Sequence, residues 1–412
     1  MGSKRELLEE IRKLVISNYS GDGAVLDLFA GTCGVGMALR DIAPIYSNDI
    51  QTYSDLIAKG TLGVNLPIMR QDEIWALLSK KYEQNFNAVT ELIPRQLAIS
   101  RKHVSNLAWD EDGRLEYIQF MDDLSSHVLK NSDINPELVT LRNKYLERAE
   151  NNQLFPYLQT TYLFSEMYFS TEQAISIDSL VYAISCLKGQ NAPLKEPLMA
   201  ALIHAYSYNS AGTGHFAQFR DMSTLSSVKD VFHYRKQSVI DYFLRKAEEI
   251  IKASQNNKFP EKNKAFHEDY ERLLNNSSVM KNVGMVYADP PYSFVHYSRF
   301  YHAIENLARY DYPAVEHKGR YRGDRHQSPF CIKTKAPGAF ARMFEASYKY
   351  RKPILVSYSN TGMISLENLV GIARRIGFSV SILEIDHKHS TMGRLKDKSR
   401  NVKEALILCL VD

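Results

Sequence analysis

The sequence has 412 residues, 44% of them hydrophobic and 24% charged, which describes a globular chain long enough for two domains. It contains no apolar run of the ~18–20 residues a membrane span needs, and its start, MGSKRELLEE, lacks a signal-peptide core, so the expectation is a soluble cytoplasmic protein with no membrane partner. The four cysteines, Cys33, Cys186, Cys331 and Cys409, are too scattered for a zinc site or a disulfide framework, and a net charge of only +4 leaves any nucleic-acid surface to local clustering.

In chain order, Leu7, Leu8, Ile11, Leu14 and Val15 recur at helical spacing over 4–17, and 18–23 breaks the pattern. AVLDLF (24–29) reads as a buried strand, AGTCGVG (30–36) as a glycine-rich turn, and Met37 onward as a helix. A short strand at 45–47 then ends in NDIQTYS. Strand, glycine turn, helix, strand and acid is the opening unit of a nucleotide-binding α/β sheet. From about 66 to 254 the pattern is mainly helical, with one strand expected at LEYIQFM (115–121). Strand patterns resume at 283–288, 353–359, 379–385 and 404–411, with a helix over 366–376, and the last two strands are expected to form an antiparallel hairpin. The expected fold is therefore α/β: a mostly parallel sheet with an antiparallel last strand in residues 1–65 and 255–412, interrupted by a mainly helical insertion at 66–254.

Gly31, Gly34 and Gly36 are spaced G-x-x-G-x-G, neither the dinucleotide fingerprint nor a phosphate loop, which disfavours a pyrophosphate or triphosphate ligand. Glycines let backbone approach a ligand closely, although a plain structural turn uses them too. Asp49, at the end of the next strand, stands where an acid holds ribose hydroxyls, so the pair points to an adenosine-containing cofactor.

The strand at 283–288 stops at Asp289, Pro290, Pro291 and Tyr292. Two prolines give no N–H to a sheet and hold the chain extended, fixing an acid and an aromatic ring in a stiff turn. Asp289 and the carbonyl of Pro290 form a pair of acceptors beside the Tyr292 platform. An exocyclic amine on a heteroaromatic ring is a poor nucleophile because its lone pair is delocalised. Acceptors gripping both its N–H bonds draw it towards tetrahedral geometry and stabilise the positive charge that develops during attack. The turn suits methylation of an amine.

These motifs together resemble the S-adenosylmethionine-dependent DNA adenine-N6 methyltransferases of the Dam-like class. GSKRELL (2–8), with Gly2, Ser3 and Lys4, resembles the N-terminal cofactor element of that group; DLFAGTCGVG (27–36) resembles its cofactor loop, with Asp27, Phe29, Ala30, Gly31, Thr32, Gly34 and Gly36. NDIQTYS, with Asp49 and Ile50, resembles the ribose-binding element, ADPPY (288–292) the catalytic motif, and Asp269 the residue contacting the cofactor adenine. The resemblance covers roughly 1–60 and 265–412. It implies S-adenosyl-L-methionine as cofactor, double-stranded DNA as substrate, a flipped adenine as acceptor, association with the nucleoid when DNA is bound, and a cognate restriction endonuclease or other defence protein as a possible partner. The insertion would be the target-recognition domain, and no metal is expected. The alternatives are cytosine-N4 methylation, for which serine commonly replaces the acid before the two prolines, and a catalytically silent DNA-binding module.

DNA contacts are expected from HKGRYRGDRHQSPF (317–330), where Arg320, Arg322 and Arg325 cluster as phosphate contacts do, although a solvated loop has the same composition. In YNSAGTGHFAQFR (208–220), Gln218 and Arg220 are candidates to reach bases or phosphates, and Tyr297 and Arg299 to line the pocket entrance. Lys388, Arg394, Lys396, Lys398 and Arg400 make a second basic loop.

Overall fold

The computed structural model describes every residue except 1–6, 106–109, 131, 134, 214, 221, 293–296, 361, 388–401 and 412. Among the described residues nine strands form: β1 (Ala24–Asp27), β2 (Ile45–Asn48), β3 (Lys264–Phe266), β4 (Val283–Ala288), β5 (Val315–Glu316), β6 (Tyr321–Arg322), β7 (Ile354–Ser359), β8 (Ser379–His387) and β9 (Val402–Leu410). The chain divides into two compact units, the first comprising Met1–Leu66, Ala253–Ser298 and His326–Asp412, the second Pro67–Lys252 and Arg299–Arg325.

The first unit is built on a seven-stranded sheet in the order β3-β2-β1-β4-β7-β9-β8. β1 pairs in parallel with β2 and β4, β2 with β3, and β4 with β7, whereas β9 runs antiparallel between β7 and β8. The antiparallel last strand and the mostly parallel sheet are those the sequence leads one to expect. Every residue of β1 and β7 is buried, as the apolar runs of a sheet covered on both faces must be. Leu26, Val286, Ile354 and Val356 share a core with Phe340 and Phe344 of the helix Ala336–Lys349, and with Leu369 of the helix Leu366–Ile376. The latter helix starts on Ser365, whose side chain accepts from the Asn368 amide, and stops at Gly377, which takes φ +118°.

Strand order reverses between β1 and β4: from β1 the chain first builds outward through β2 and β3, then returns to start β4 on the other side. In open α/β sheets the carboxyl ends of the strands flanking such a reversal form the binding crevice. Register places Asp27 beside Tyr287, so the loops leaving β1 and β4 emerge side by side.

The second unit is mainly helical, with helices at Gln71–Leu92, Glu111–Lys130, Pro136–Glu150, Thr171–Ser185 and Lys195–Asn209 among others, and a small hairpin of β5 and β6. The strand expected at 115–121 is instead part of the helix Glu111–Lys130. Tyr117, Leu124 and His127 are its buried residues, a helical spacing, while Leu115 is 52% exposed. A short apolar run fits both periods, and here the longer spacing wins.

Residues 299–325, read from sequence with the sheet, cluster with the helices instead. Buried polar bonds explain why: the Tyr310 hydroxyl donates to Asp178 at 2.6 Å, the Gln159 amide to the Asn306 carbonyl at 2.7 Å, and the Tyr321 hydroxyl to the Ala217 carbonyl at 2.6 Å. Among the described residues, no helix is long and apolar enough to cross a membrane.

Candidate active site

The β1 loop opens at Asp27 and turns through Gly31, at φ +51°, and Cys33, at φ +58°, before the helix Gly34–Leu39. Glycine is needed at 31 for its left-handed backbone, and a Cβ added at Gly31 or Gly34 would meet nothing within 4 Å, so this side of the loop faces open space. Gly36 is different. A Cβ there would come within 3.0 Å of Leu62 and 3.1 Å of Ile45, so its role is to let helix and sheet pack.

Asp49 ties the β1 and β2 loops together. Its Oδ2 accepts from the Gly31 amide at 2.9 Å and its Oδ1 from the Gln51 amide at 3.0 Å. Asn48, buried beside it, donates to the carbonyls of Leu28 and Glu268, both at 3.1 Å, drawing the ends of β1 and β3 to the same place. Ile50 offers its carbonyl to His267 at 2.9 Å. Asp269 caps the short helix Tyr270–Leu274, accepting from the amides of Glu271 and Arg272. Phe29 packs against Tyr270 and Phe330, with ring centroids 5.8 and 5.5 Å away, and forms an aromatic wall beside the loop. Ala30 donates to the Asn48 carbonyl at 2.8 Å, and Thr32 is half-buried in the turn. Gly2, Ser3 and Lys4 lie outside the described residues.

Asp27 is 2% exposed, and its Oδ1 accepts no hydrogen bond among the described residues. Burial, then the charges of Asp289 and Asp49, push its carboxyl up to about 8, with the Gly36 amide acting in the opposite direction. Between the ordinary value of 3.8 and about 8, the folded chain keeps a proton that the unfolded chain gives up, so this group makes stability fall as pH rises through that window. Asp27→Asn should therefore melt progressively higher than the parent protein as pH is raised from 5 to 8. A melting difference that stays constant over that range would remove Asp27 as its source.

On the neighbouring strand, Asp289 and Tyr292 are half-buried and Pro290 buried. The Cys331 thiol donates to the Pro291 carbonyl at 3.3 Å and the Met363 amide to the Tyr292 carbonyl at 3.1 Å, so the turn is held from two sides. Tyr292 meets Tyr358 edge-on at 5.3 Å. Rings continue from Tyr358 through Phe340 and Phe330 to Phe29, linking the turn to the wall of the β1 loop. The Tyr292 hydroxyl donates to Glu404 of β9 at 3.0 Å. Sequence reasoning missed Cys331, Tyr358 and Glu404, because each lies far along the chain from the turn and none stands in a recognisable motif.

The candidate DNA residues fare differently. Arg320 and Arg322 are not surface side chains, each being 3% exposed. Arg320 donates to the Leu163 carbonyl, and Arg322 forms ion pairs with Asp311 and Asp324, both at 2.7 Å. Their expected phosphate role is corrected to a structural one, because internal acceptors already take up these guanidinium groups. Arg325 and Arg299 lie over the Tyr321 ring at 4.8 and 5.3 Å, Arg299 exposed and Arg325 half-buried. Arg220 pairs with Asp230 and donates to the Tyr234 hydroxyl at 3.0 Å, whereas Gln218 is exposed. The second unit thus brings the 208–220 turn and the 299–325 segment together, with the Phe216 amide bonded to the Phe300 carbonyl at 2.9 Å and Lys318 over the Phe219 ring at 5.5 Å. His302 is buried against the Phe216 carbonyl, and desolvation pushes it down to about 3, so it is a neutral structural histidine. Tyr297 begins the helical turn Tyr297–Phe300, and its side chain lies outside the described residues, as do Lys388, Arg394, Lys396, Lys398 and Arg400.

Comparison with known proteins agrees with this geometry. The chain is 24% identical to "Modification methylase LlaI" of Lactococcus lactis subsp. lactis over 99% of its own length and 54% of that protein's. It is 26% identical to "Modification methylase StsI" of Streptococcus sanguinis (98% of this chain, 49% of that one) and 26% identical to "Type II methyltransferase M.FokI" of Planomicrobium okeanokoites (98% and 50%). It spans about half the length of these curated relatives. Residues 1–93, which hold the β1 loop and Asp49, match the model of the D12 class N6 adenine-specific DNA methyltransferases, a class similar to the one the sequence motifs resemble.

Proposed function

We propose that this chain transfers a methyl group from S-adenosyl-L-methionine to N6 of an adenine flipped out of duplex DNA. The observation that carries the reading is the pairing of β1 with β4, which sets the glycine loop and the Asp289–Tyr292 turn side by side at the reversal point of the sheet. The residues present fit the cofactor. The loop has an open side at Gly31 and Gly34, the Asp27 Oδ1 is buried and has no donor among the described residues, and the negative charges of Asp49 and Asp289 act on Asp27. Such a cluster favours a ligand that carries a positive charge. The backbone of Phe29 to Gly36 would hold S-adenosylmethionine, with Asp49 towards its ribose and Asp269 towards its adenine. When bound, it supplies an electrophilic methyl group on a sulfonium centre.

The rest of the chemistry belongs to the chain. Tyr292 offers its ring face to the flipped base, and Asp289 and the Pro290 carbonyl accept hydrogen bonds from the two amine N–H groups, localising the lone pair on nitrogen. The carboxylate stabilises the positive charge that builds there, and after transfer the strongly acidic cationic nitrogen releases its proton to solvent without needing a dedicated base. Flipping costs a few kcal/mol, which contacts to DNA must offset. Lys318, Arg299 and Arg325 are the cations we assign to phosphates, and Gln218 the exposed side chain suited to a base edge. The helical unit would choose the target sequence, because the turn after β4 grips only the flipped base. The partner we propose is a cognate restriction endonuclease or other defence protein, in keeping with relatives named modification methylases.

Mapping modified bases in DNA from cells expressing this chain is the direct test. N6-methyladenine at one recurring sequence is the expected result. Methyl groups on cytosine N4 alone would replace the acceptor, and unmodified DNA would leave a silent binding module.

A further inference from the structure

Glu404 is a carboxylate in an unusual place. It is 2% exposed, on β9, paired in register with Ser359 of β7 and Ile385 of β8, and the residues that follow it, Ala405 to Cys409, are apolar and buried. An apolar side chain would serve the strand at least as well, since a buried acid must be hydrogen-bonded merely to offset its desolvation. Its Oε1 accepts the hydroxyl of Tyr292 at 3.0 Å, across 112 residues of sequence.

Among the described residues, two contacts support the Tyr292 ring. Tyr358 meets it edge-on, with an interplanar angle of 63°, and Tyr358 is itself fixed by exchanging hydrogen bonds with the amide and carbonyl of Ile364 at 3.0 and 2.9 Å. Glu404 holds the far end of the same ring. Since Tyr292 is half-buried, a fixed hydroxyl limits the swing of the ring about its Cα–Cβ bond, and stacking depends on where the ring face lies.

We propose that Glu404 is a positioning residue for methyl transfer: its buried carboxylate locks the phenol of Tyr292 so that the ring face is set for the incoming purine, and makes that face more electron-rich for an amine that becomes positive. The second effect follows because a carboxylate accepting a phenolic O–H shifts density into the ring, which strengthens its attraction for a cation over the face. Glu404 acts through Tyr292 rather than on the base. The proposal rests on the reading of the Asp289–Tyr292 turn as the site that grips a flipped base.

The test is a double-mutant cycle on single-turnover transfer of tritiated methyl groups to plasmid DNA from methylation-deficient cells, with thermal melts run alongside. Glu404→Ala and Tyr292→Phe should each slow transfer by about tenfold, the scale of one charge-assisted hydrogen bond, and the double variant should be no slower than either. Glu404→Gln, whose amide oxygen still accepts from the phenol but carries no charge, should be faster than Glu404→Ala in the Tyr292 protein by the share due to positioning, and change nothing in the Tyr292→Phe background. If Glu404→Ala does not fold, Glu404→Leu, which fills the buried site without offering an acceptor, takes its place in the cycle. An equal slowing by the Glu404 variants in both backgrounds overturns the proposal, as does Tyr292→Phe transferring at the parent rate. Parent protein that methylates no DNA overturns the functional reading itself, a result distinct from an active enzyme indifferent to the phenol.

Discussion

Asp289→Ala should lower the single-turnover rate of methyl transfer by about 10²–10³-fold while leaving affinity for the methyl donor nearly unchanged, by analogy with removing one oxyanion-hole donor. The benefit of this acceptor grows as positive charge develops on the amine, so its loss appears in the rate rather than in ground-state binding. Tyr292→Ala should fail in another way. Stacking of a base on an aromatic ring is worth about 1–3 kcal/mol, so capture of the flipped base should weaken along with the rate. Rates measured with saturating DNA, beside calorimetric titration of the cofactor, separate the two. If Asp289→Ala transfers methyl groups at the parent rate, the amine is not held by this turn, and the case for an aminomethyltransferase loses its central step.

The parts of this site legible in the sequence are those whose physics is local. Val283 to Ala288 is an apolar run ended by two prolines, and Ala24 to Asp27 one ended by glycines. Punctuation of that kind fixes where a buried strand stops whatever the rest of the fold does. That the two strands are neighbours is not local, but order along the chain and the rules of open α/β sheets make it the expected outcome. The arginines show the opposite case. Composition gives Arg320 and Arg322 a place in a basic cluster, yet it cannot say which way a side chain turns. Arg320 takes φ +54° and reaches the Leu163 carbonyl 157 residues away, and Arg322 is taken up by Asp311 and Asp324. The two aspartates were visible in the sequence, within one small segment, and were the available hint that part of the cluster would neutralise itself. Glu404 offered no hint at all. It stands at the head of an apolar strand, and its partner is specified only by the register of β9 against β7.

Glu166→Ala should destabilise the helical unit by about 3–5 kcal/mol, the usual cost of breaking a buried ion pair by removing one partner. Glu166 and Arg235 are both buried, their charged groups 2.9 Å apart with side chains 1% and 0% exposed. The carboxylate also accepts from the hydroxyls of Ser100 and Tyr117 and from the amide and hydroxyl of Thr171, at 2.7 and 2.9 Å, while its own carbonyl accepts from Arg235 at 2.7 Å. These bonds hold a non-glycine residue at φ +58°, a conformation with a standing cost that needs several fixed contacts to maintain. Burial pushes the Arg235 guanidinium down to about 9, so it stays charged at neutral pH, and without Glu166 it would lie in the interior with no compensating charge. The damage should therefore come more from the stranded cation than from the lost pair. Glu166→Ala combined with Arg235→Met should recover part of the stability, because apolar replacement of both members of a buried pair is often tolerated. Urea unfolding of the single and double variants tells the two apart. A double variant less stable than Glu166→Ala alone would mean that Arg235 supports the fold by packing over Tyr117 and Phe232, whose rings its guanidinium covers at 5.3 and 5.7 Å, rather than by answering the charge of Glu166.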